Sequence, residues 1–189
     1  MIDLALEEIL QKKKENKEQN EHNVDWEKEK KLWIESVNSL YKNIEFWLKD
    51  YKNKKLLDFY YSDIDLEETD IGKYKIRQMH IKLPEEEIKL TPLGTMLIGA
   101  FGRIDIEYKY KNVRLILVPE ESKSIKIKAT ILKDGNESKI KKKETSKIQE
   151  EKWTNLKWKI IMKELNKPLY LTLEEISFIE IFKELISNE

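Results

Sequence analysis

The spacing of apolar residues changes twice along this chain of 189 residues. From Asp25 to about Asn53 they recur at steps of three and four: Trp33, Val37, Leu40, Tyr41, Ile44, Trp47, Leu48 and Tyr51, with Trp26 one heptad ahead of Trp33. That spacing puts them on one stripe of a helix. Lys28, Glu35, Lys42, Glu45 and Lys49 fall on the other side, as expected of a long helix lying on a sheet with its back in water. From residue 55 to 132 the period becomes two, which alternates side chains between the faces of a strand. Leu57, Phe59 and Tyr61 alternate in the first run, and Lys75, Arg77, Met79, Ile81 and Leu83 in the next. Met96, Ile98, Ala100, Gly102, Ile104, Ile106 and Tyr108 make a third run. The near-continuous apolar segment 112–119 is closed by Pro119, and Ile125, Ile127, Ala129 and Ile131 alternate after it.

Ile71-Gly72, Leu83-Pro84-Glu85 and Asp134-Gly135-Asn136 punctuate about six strands with short turns. No crossover helix fits between them, so the sheet is predicted to be a mainly antiparallel meander. Residues 134–152 have almost no apolar content and are expected to form a flexible, lysine-rich loop. Order returns with strands near 154–162 and 168–171, and Thr172-Leu173-Glu174-Glu175 reads as a capping box opening a last helix with Ile176, Ile179, Phe182, Leu185 and Ile186. The predicted class is α+β: a long N-terminal helix on an antiparallel sheet of about six to eight strands, with a C-terminal helix. One domain is expected over 23–189, preceded by a helical segment over 1–22.

That leading segment carries the first functional expectation. Asp3 reads as an N-cap, and Ile2, Leu6, Ile9 and Leu10 share a face for about two turns before the sequence becomes polar on all sides. A helix so short is marginal unless it docks. Leu6, Ile9 and Leu10 are therefore expected to contact either their own domain or another chain. Trp26, ahead of the main stripe, and Trp153, at the end of the polar loop, are candidate anchors for the same kind of contact.

Three of the five glycines, Gly94, Gly99 and Gly102, fall within Thr91–Tyr108, where an apolar run gives glycine a structural role in backbone conformation or close approach. Arg103 and Asp105 share a face there, opposite Ile104 and Ile106, and the expected role is mutual or cross-strand pairing. The segment PLGTMLIGAFGRID at 92–105 is joined in order by the pairs Leu40-Tyr41 and Trp47-Leu48, by 115–118, by Trp158-Lys159-Ile160 and by 173–178. Together these resemble a family of uncharacterised bacterial proteins with a PxGTxLIGAxGRID core. The resemblance implies one recurring fold and no activity.

Composition narrows the chemistry. Lys plus Arg and Asp plus Glu number 36 each, so no net field favours a polyanion, and the lysines at 139–147 lie among glutamates without interleaved aromatics; the reading is against nucleic acid. With no cysteine there is no disulfide, thiolate metal site or cysteine nucleophile, which agrees with a reducing, cytoplasmic setting. The N-terminal residues lack a signal-peptide pattern, and no apolar run approaches the roughly 18 to 20 residues of a membrane helix. Two isolated histidines, His22 and His80, make no zinc site, no glycine-flanked serine elbow is present, and the glycine segment lacks the Lys-Ser or Lys-Thr of a phosphate loop. No metal or cofactor is expected. The enzymatic alternative is a Mg²⁺-dependent, restriction-endonuclease-like nuclease, with Asp105 and Glu121 on the metal and Lys123 assisting the attacking water. Pro119 weakens it by placing Glu121 and Lys123 beyond the strand. The favoured expectation is a non-enzymatic protein-binding or self-associating domain inside a bacterial cell.

Overall fold

The computed structural model describes residues 6–11, 25–95, 100–123, 153–163 and 168–187. Helix α1, Trp26–Trp47, begins where Asp25 accepts the Lys28 N–H at 3.0 Å, with Glu27 and Glu29 favourably placed in its first turn. Trp33, Val37, Leu40, Tyr41 and Ile44 are buried along it, as the stripe predicts. The helix breaks at Leu48, resumes as the short α2, Lys49–Asn53, and ends where Lys55 takes a left-handed φ of 59°.

Seven antiparallel strands follow in the order of the chain: β1 Asp58–Glu68, β2 Gly72–Lys82, β3 Glu87–Gly94, β4 Gly102–Tyr108, β5 Lys111–Pro119, β6 Leu156–Lys163 and β7 Pro168–Thr172. Helix α3, Glu175–Ile186, then packs beside α1, with Phe178 5.4 Å from Trp47 between ring centres. Ile88, Leu90, Ile104, Ile106, Leu115 and Ile160 complete a core from which water is almost wholly excluded. Lys111 donates to the Glu184 and Ser187 carbonyls, bringing a cation to the C-terminal end of α3. The fold is therefore the predicted α+β arrangement.

Four local differences have physical causes. Glu87–Gly94 is a strand that the alternation did not single out, and within the run read from Met96 through Tyr108 the strand β4 begins at Gly102. Pro92 fits because β2 pairs with β3 only from Glu87 to Leu90, leaving the proline beyond that ladder, and the register shifts between Pro92 and Gly94. The last helix is capped at Glu174, not Thr172: the Glu174 N–H donates to Ser177 Oγ at 2.8 Å, and that hydroxyl donates to the Thr172 carbonyl. The third difference is in the β1–β2 ribbon, whose pairing is regular from Asp58↔Lys82 to Glu68↔Gly72 while the buried face changes parity. Phe59, Met79 and Ile81 turn inward at one end, and Ile64, Leu66, Tyr74 and Ile76 at the other. Two-stranded ribbons twist strongly, and here the twist carries the even-numbered positions round to the core. The fourth concerns Trp26 and Trp153, expected as exposed anchors, which are both half-buried against the core. The expected strand at 124–132, the loop at 134–152, Gly99 and His22 lie outside the described residues.

Gly94 and Gly102 serve close approach. At Gly94, φ is +109° and a Cβ would stand 2.8 Å from the Glu68 carboxyl carbon. That carboxylate accepts the Thr95 N–H at 2.7 Å, the Thr95 hydroxyl at 2.8 Å and the Tyr74 hydroxyl, tying the ribbon's tip to the end of β3. At Gly102 a Cβ would stand 2.1 Å from Trp33 Cζ3, so the absent side chain is what lets the indole lie against β4.

Candidate functional site

The face of the sheet turned away from α1 carries most of the polar side chains that strand pairing brings together. Cross-strand register places Ser62 beside Gln78, Thr91 beside Asp105, and Asp105 beside Arg114. Two residues along, Tyr60 lies beside His80, His80 beside Lys89, and Lys89 beside Glu107.

Ser62 Oγ is 2.7 Å from His80 Nε2, and His80 Nδ1 is 3.3 Å from a Glu87 oxygen. By distance this is a serine, histidine and carboxylate in the sequence of an acyl-transfer triad. The donors show a different use. Gln78 gives its amide N–H to Thr91 Oγ1 at 2.7 Å and the Thr91 hydroxyl donates to Glu107 at 3.1 Å, leaving Gln78 Oε1 to accept from Ser62 at 3.3 Å. With the Ser62 proton directed to Gln78, as the Nε2–H tautomer of His80 requires, the imidazole is the donor to Ser62 Oγ. A nucleophilic serine needs the reverse direction, with imidazole accepting its proton. His80 Nδ1 is buried and lies off the axis of any hydrogen bond to Glu87, so the carboxylate does not orient the ring as a triad requires. Tyr60 stacks on the imidazole at 4.3 Å and donates to Glu87, and this bond, more than the nearby His80 and Lys89, holds the Glu87 carboxyl below its usual range. The array is a hydrogen-bond chain that joins β1, β2, β3 and β4.

The residues singled out from sequence separate into groups. Arg103 and Asp105 come together: Arg103 Nε and Nη2 each donate to Asp105 at 2.6 Å, and Asn112 adds a bond at 3.3 Å. Asp105 is 6% exposed, so this bidentate pair occupies the oxygens that a metal would need. Glu121 and Lys123 are not brought to it. Arg114, the register partner of Asp105, is five residues short of Pro119, about 17 Å of strand, and both residues lie past that proline. Their turn is held elsewhere, by Lys159, which is 4% exposed and donates to the Glu120 carbonyl at 2.5 Å and the Ser122 carbonyl at 2.6 Å. Among the described residues, no group of three or more His, Asp or Glu side chains is placed to hold a metal ion.

Trp153 donates its indole N–H to Glu29 at 2.6 Å and meets the Phe101 ring edge-on at 5.5 Å, closing the start of β6 against α1. Leu6, Ile9 and Leu10 stand apart from this packing. Residues 6–11 are helical, and these three side chains are 54%, 54% and 57% exposed. Sequence reasoning did not find Ser62, Gln78 or Glu87, which strand pairing brings together, nor Lys159, which meets the Glu120 and Ser122 carbonyls; no local motif marks either contact.

No known family profile, no curated protein and no solved structure matches the chain. Among the described residues no helix is long and apolar enough to cross a membrane.

Proposed function

We propose that the chain is a non-enzymatic protein-binding domain, an adaptor or accessory subunit working inside a bacterial cell. The observation that carries this reading is the exposed apolar face of residues 6–11. Leu6, Ile9 and Leu10 keep more than half of their surface in solvent along the helical residues 6–11. Seating them in the apolar groove of another protein would bury that surface and stabilise the helix, the helix-in-groove mode of recognition. The polar clusters on the sheet support the same reading, because their hydrogen-bonding groups are directed at one another and at backbone.

The test is affinity capture from the native host with the tagged full chain, alongside a variant carrying Leu6→Ser, Ile9→Ser and Leu10→Ser. A stoichiometric protein bound by the former and lost by the latter, with an unchanged melting temperature, is the expected result. Capture unaffected by the triple substitution, or a melting collapse caused by it, would refute the assignment of this face.

A further inference from the structure

The β1–β2 ribbon stands off from α1 along part of its length and leaves a groove of about 540 Å³, in the range of ligand-binding clefts. Its floor is apolar, with Tyr41 and Ile76 both buried. Its walls carry three donor-bearing side chains without a hydrogen bond or ion pair among the described residues. The Arg77 guanidinium lies 5.7 Å from the centre of the Tyr61 ring and makes no ion pair among the described residues, although Asp63 is its register partner. Lys42 and Asn38, one turn apart on α1, form no side-chain hydrogen bond or ion pair among the described residues. Five guanidinium donors, an ammonium and an amide therefore border one cleft.

We infer that this groove seats a carboxylate-bearing apolar segment of the protein partner, with Arg77 and Lys42 receiving the carboxylate and Tyr41 and Ile76 the apolar neighbour. The inference rests on the protein-binding reading above. Arginine's planar fork matches a carboxylate or a phosphate equally well. The choice between them comes from the acidic residues of the same groove, Asp63 and Glu45. Glu45 accepts the Tyr61 hydroxyl at 2.7 Å and Asp63 forms no ion pair among the described residues, so a doubly charged phosphate meets more repulsion beside these two carboxyl groups than a singly charged carboxylate. Stacking on Tyr61 restricts the guanidinium before anything binds, which lowers the ordering cost of receiving a ligand.

The experiment follows backbone amide shifts of the ¹⁵N-labelled full chain during titration with acetyl-Leu-Glu-Leu-amide, its Gln counterpart and inorganic phosphate. The expected result is saturable shifts at Asn38, Lys42, Tyr61 and Arg77, with the Glu peptide bound about tenfold more tightly than the Gln peptide. Arg77→Gln should remove that preference. Asp63→Asn, at an exposed position, should strengthen Glu-peptide binding about threefold by removing a like charge. Equal binding of the two peptides, phosphate saturating at lower concentration than the Glu peptide, or an unchanged Asp63→Asn affinity overturns the inference. In the host capture, loss of the partner by Arg77→Gln supports it. A partner retained by Arg77→Gln but lost by the Leu6, Ile9 and Leu10 triple variant overturns the groove and leaves the protein-binding reading standing.

Discussion

Replacing Gly102 by alanine tests how tightly α1 is seated on the sheet. An added Cβ falls 2.1 Å from Trp33 Cζ3, 2.6 Å from Cε3 and 2.9 Å from Cη2. Carbon atoms in contact sit at about 3.5 to 4.0 Å, so the indole or the strand must yield by roughly 1.4 Å at the closest point. Trp33 is fully buried and has little room to move, since the Trp158 ring lies 6.0 Å away between centres. Gly102 shows no positive φ, so the cost is steric and not one of backbone conformation. Overpacking of this kind costs about 1 to 3 kcal/mol, and the depth of the overlap places this site near 3. In a chain of 189 residues that lowers the melting temperature by about 6 to 12 °C. Urea denaturation followed by far-ultraviolet circular dichroism measures it. The decisive control is the same substitution in a Trp33→Leu background, where the clash is absent and the added cost should fall below about 1 kcal/mol. A Gly102→Ala protein within about 0.5 kcal/mol of wild type, or an equal penalty in both backgrounds, refutes the close-approach account.

Asp105→Asn removes one charge from a buried bidentate pair and should cost about 1 to 3 kcal/mol in urea denaturation; Mg²⁺-dependent DNA cleavage by the wild type that disappears in this variant would instead restore the nuclease reading. Glu68→Ala leaves the Thr95 and Tyr74 donors without their acceptor, with an expected cost of about 2 to 3 kcal/mol and faster amide hydrogen exchange at 64–76, while unchanged exchange would show that the tip is held otherwise. Burial first, then the carboxylates Glu45 and Glu68 respectively, raises the pKa of Tyr61 and Tyr74, and burial raises that of Tyr41. A raised folded-state pKa stabilises the fold below the unfolded value near 10 and is lost as pH rises through the folded value, so stability should fall above about pH 10. Absorbance at alkaline pH should show some tyrosines ionising only with unfolding, and simple titration of all eight as exposed phenols would contradict this.

Periodicity made the helices legible because each reports on a single buried stripe, which Trp33, Val37, Leu40, Tyr41 and Ile44 mark without help from the rest of the chain. Strands were legible where one face stays buried throughout. They were not where the face changes, as between Met79 and Ile76, or where Pro92 and Gly94 break the pattern of a strand whose neighbour has ended. The Arg103 and Asp105 pair was readable because both partners lie on one strand two residues apart. The chain from His80 through Ser62 and Gln78 to Thr91 and Glu107 was not, since four strands contribute to it and its directions depend on hydroxyl and amide orientation. The groove at Arg77 was hidden for the same reason: its walls come from α1 and from a ribbon whose twist no local pattern encodes.

The meander also sets an order of assembly. Each strand pairs with its neighbour in the chain, so β1 to β5 close through short connections, whereas 36 residues lie between Pro119 and Leu156. Bringing together strands so far apart in sequence costs more chain entropy than closing a short turn. The first five strands can therefore zip onto α1 before β6, β7 and α3 arrive, and until they do, the buried run Leu115–Val118 is an uncovered sheet edge. That interval, not the finished protein, is when the chain is most exposed to pairing with a second copy of itself.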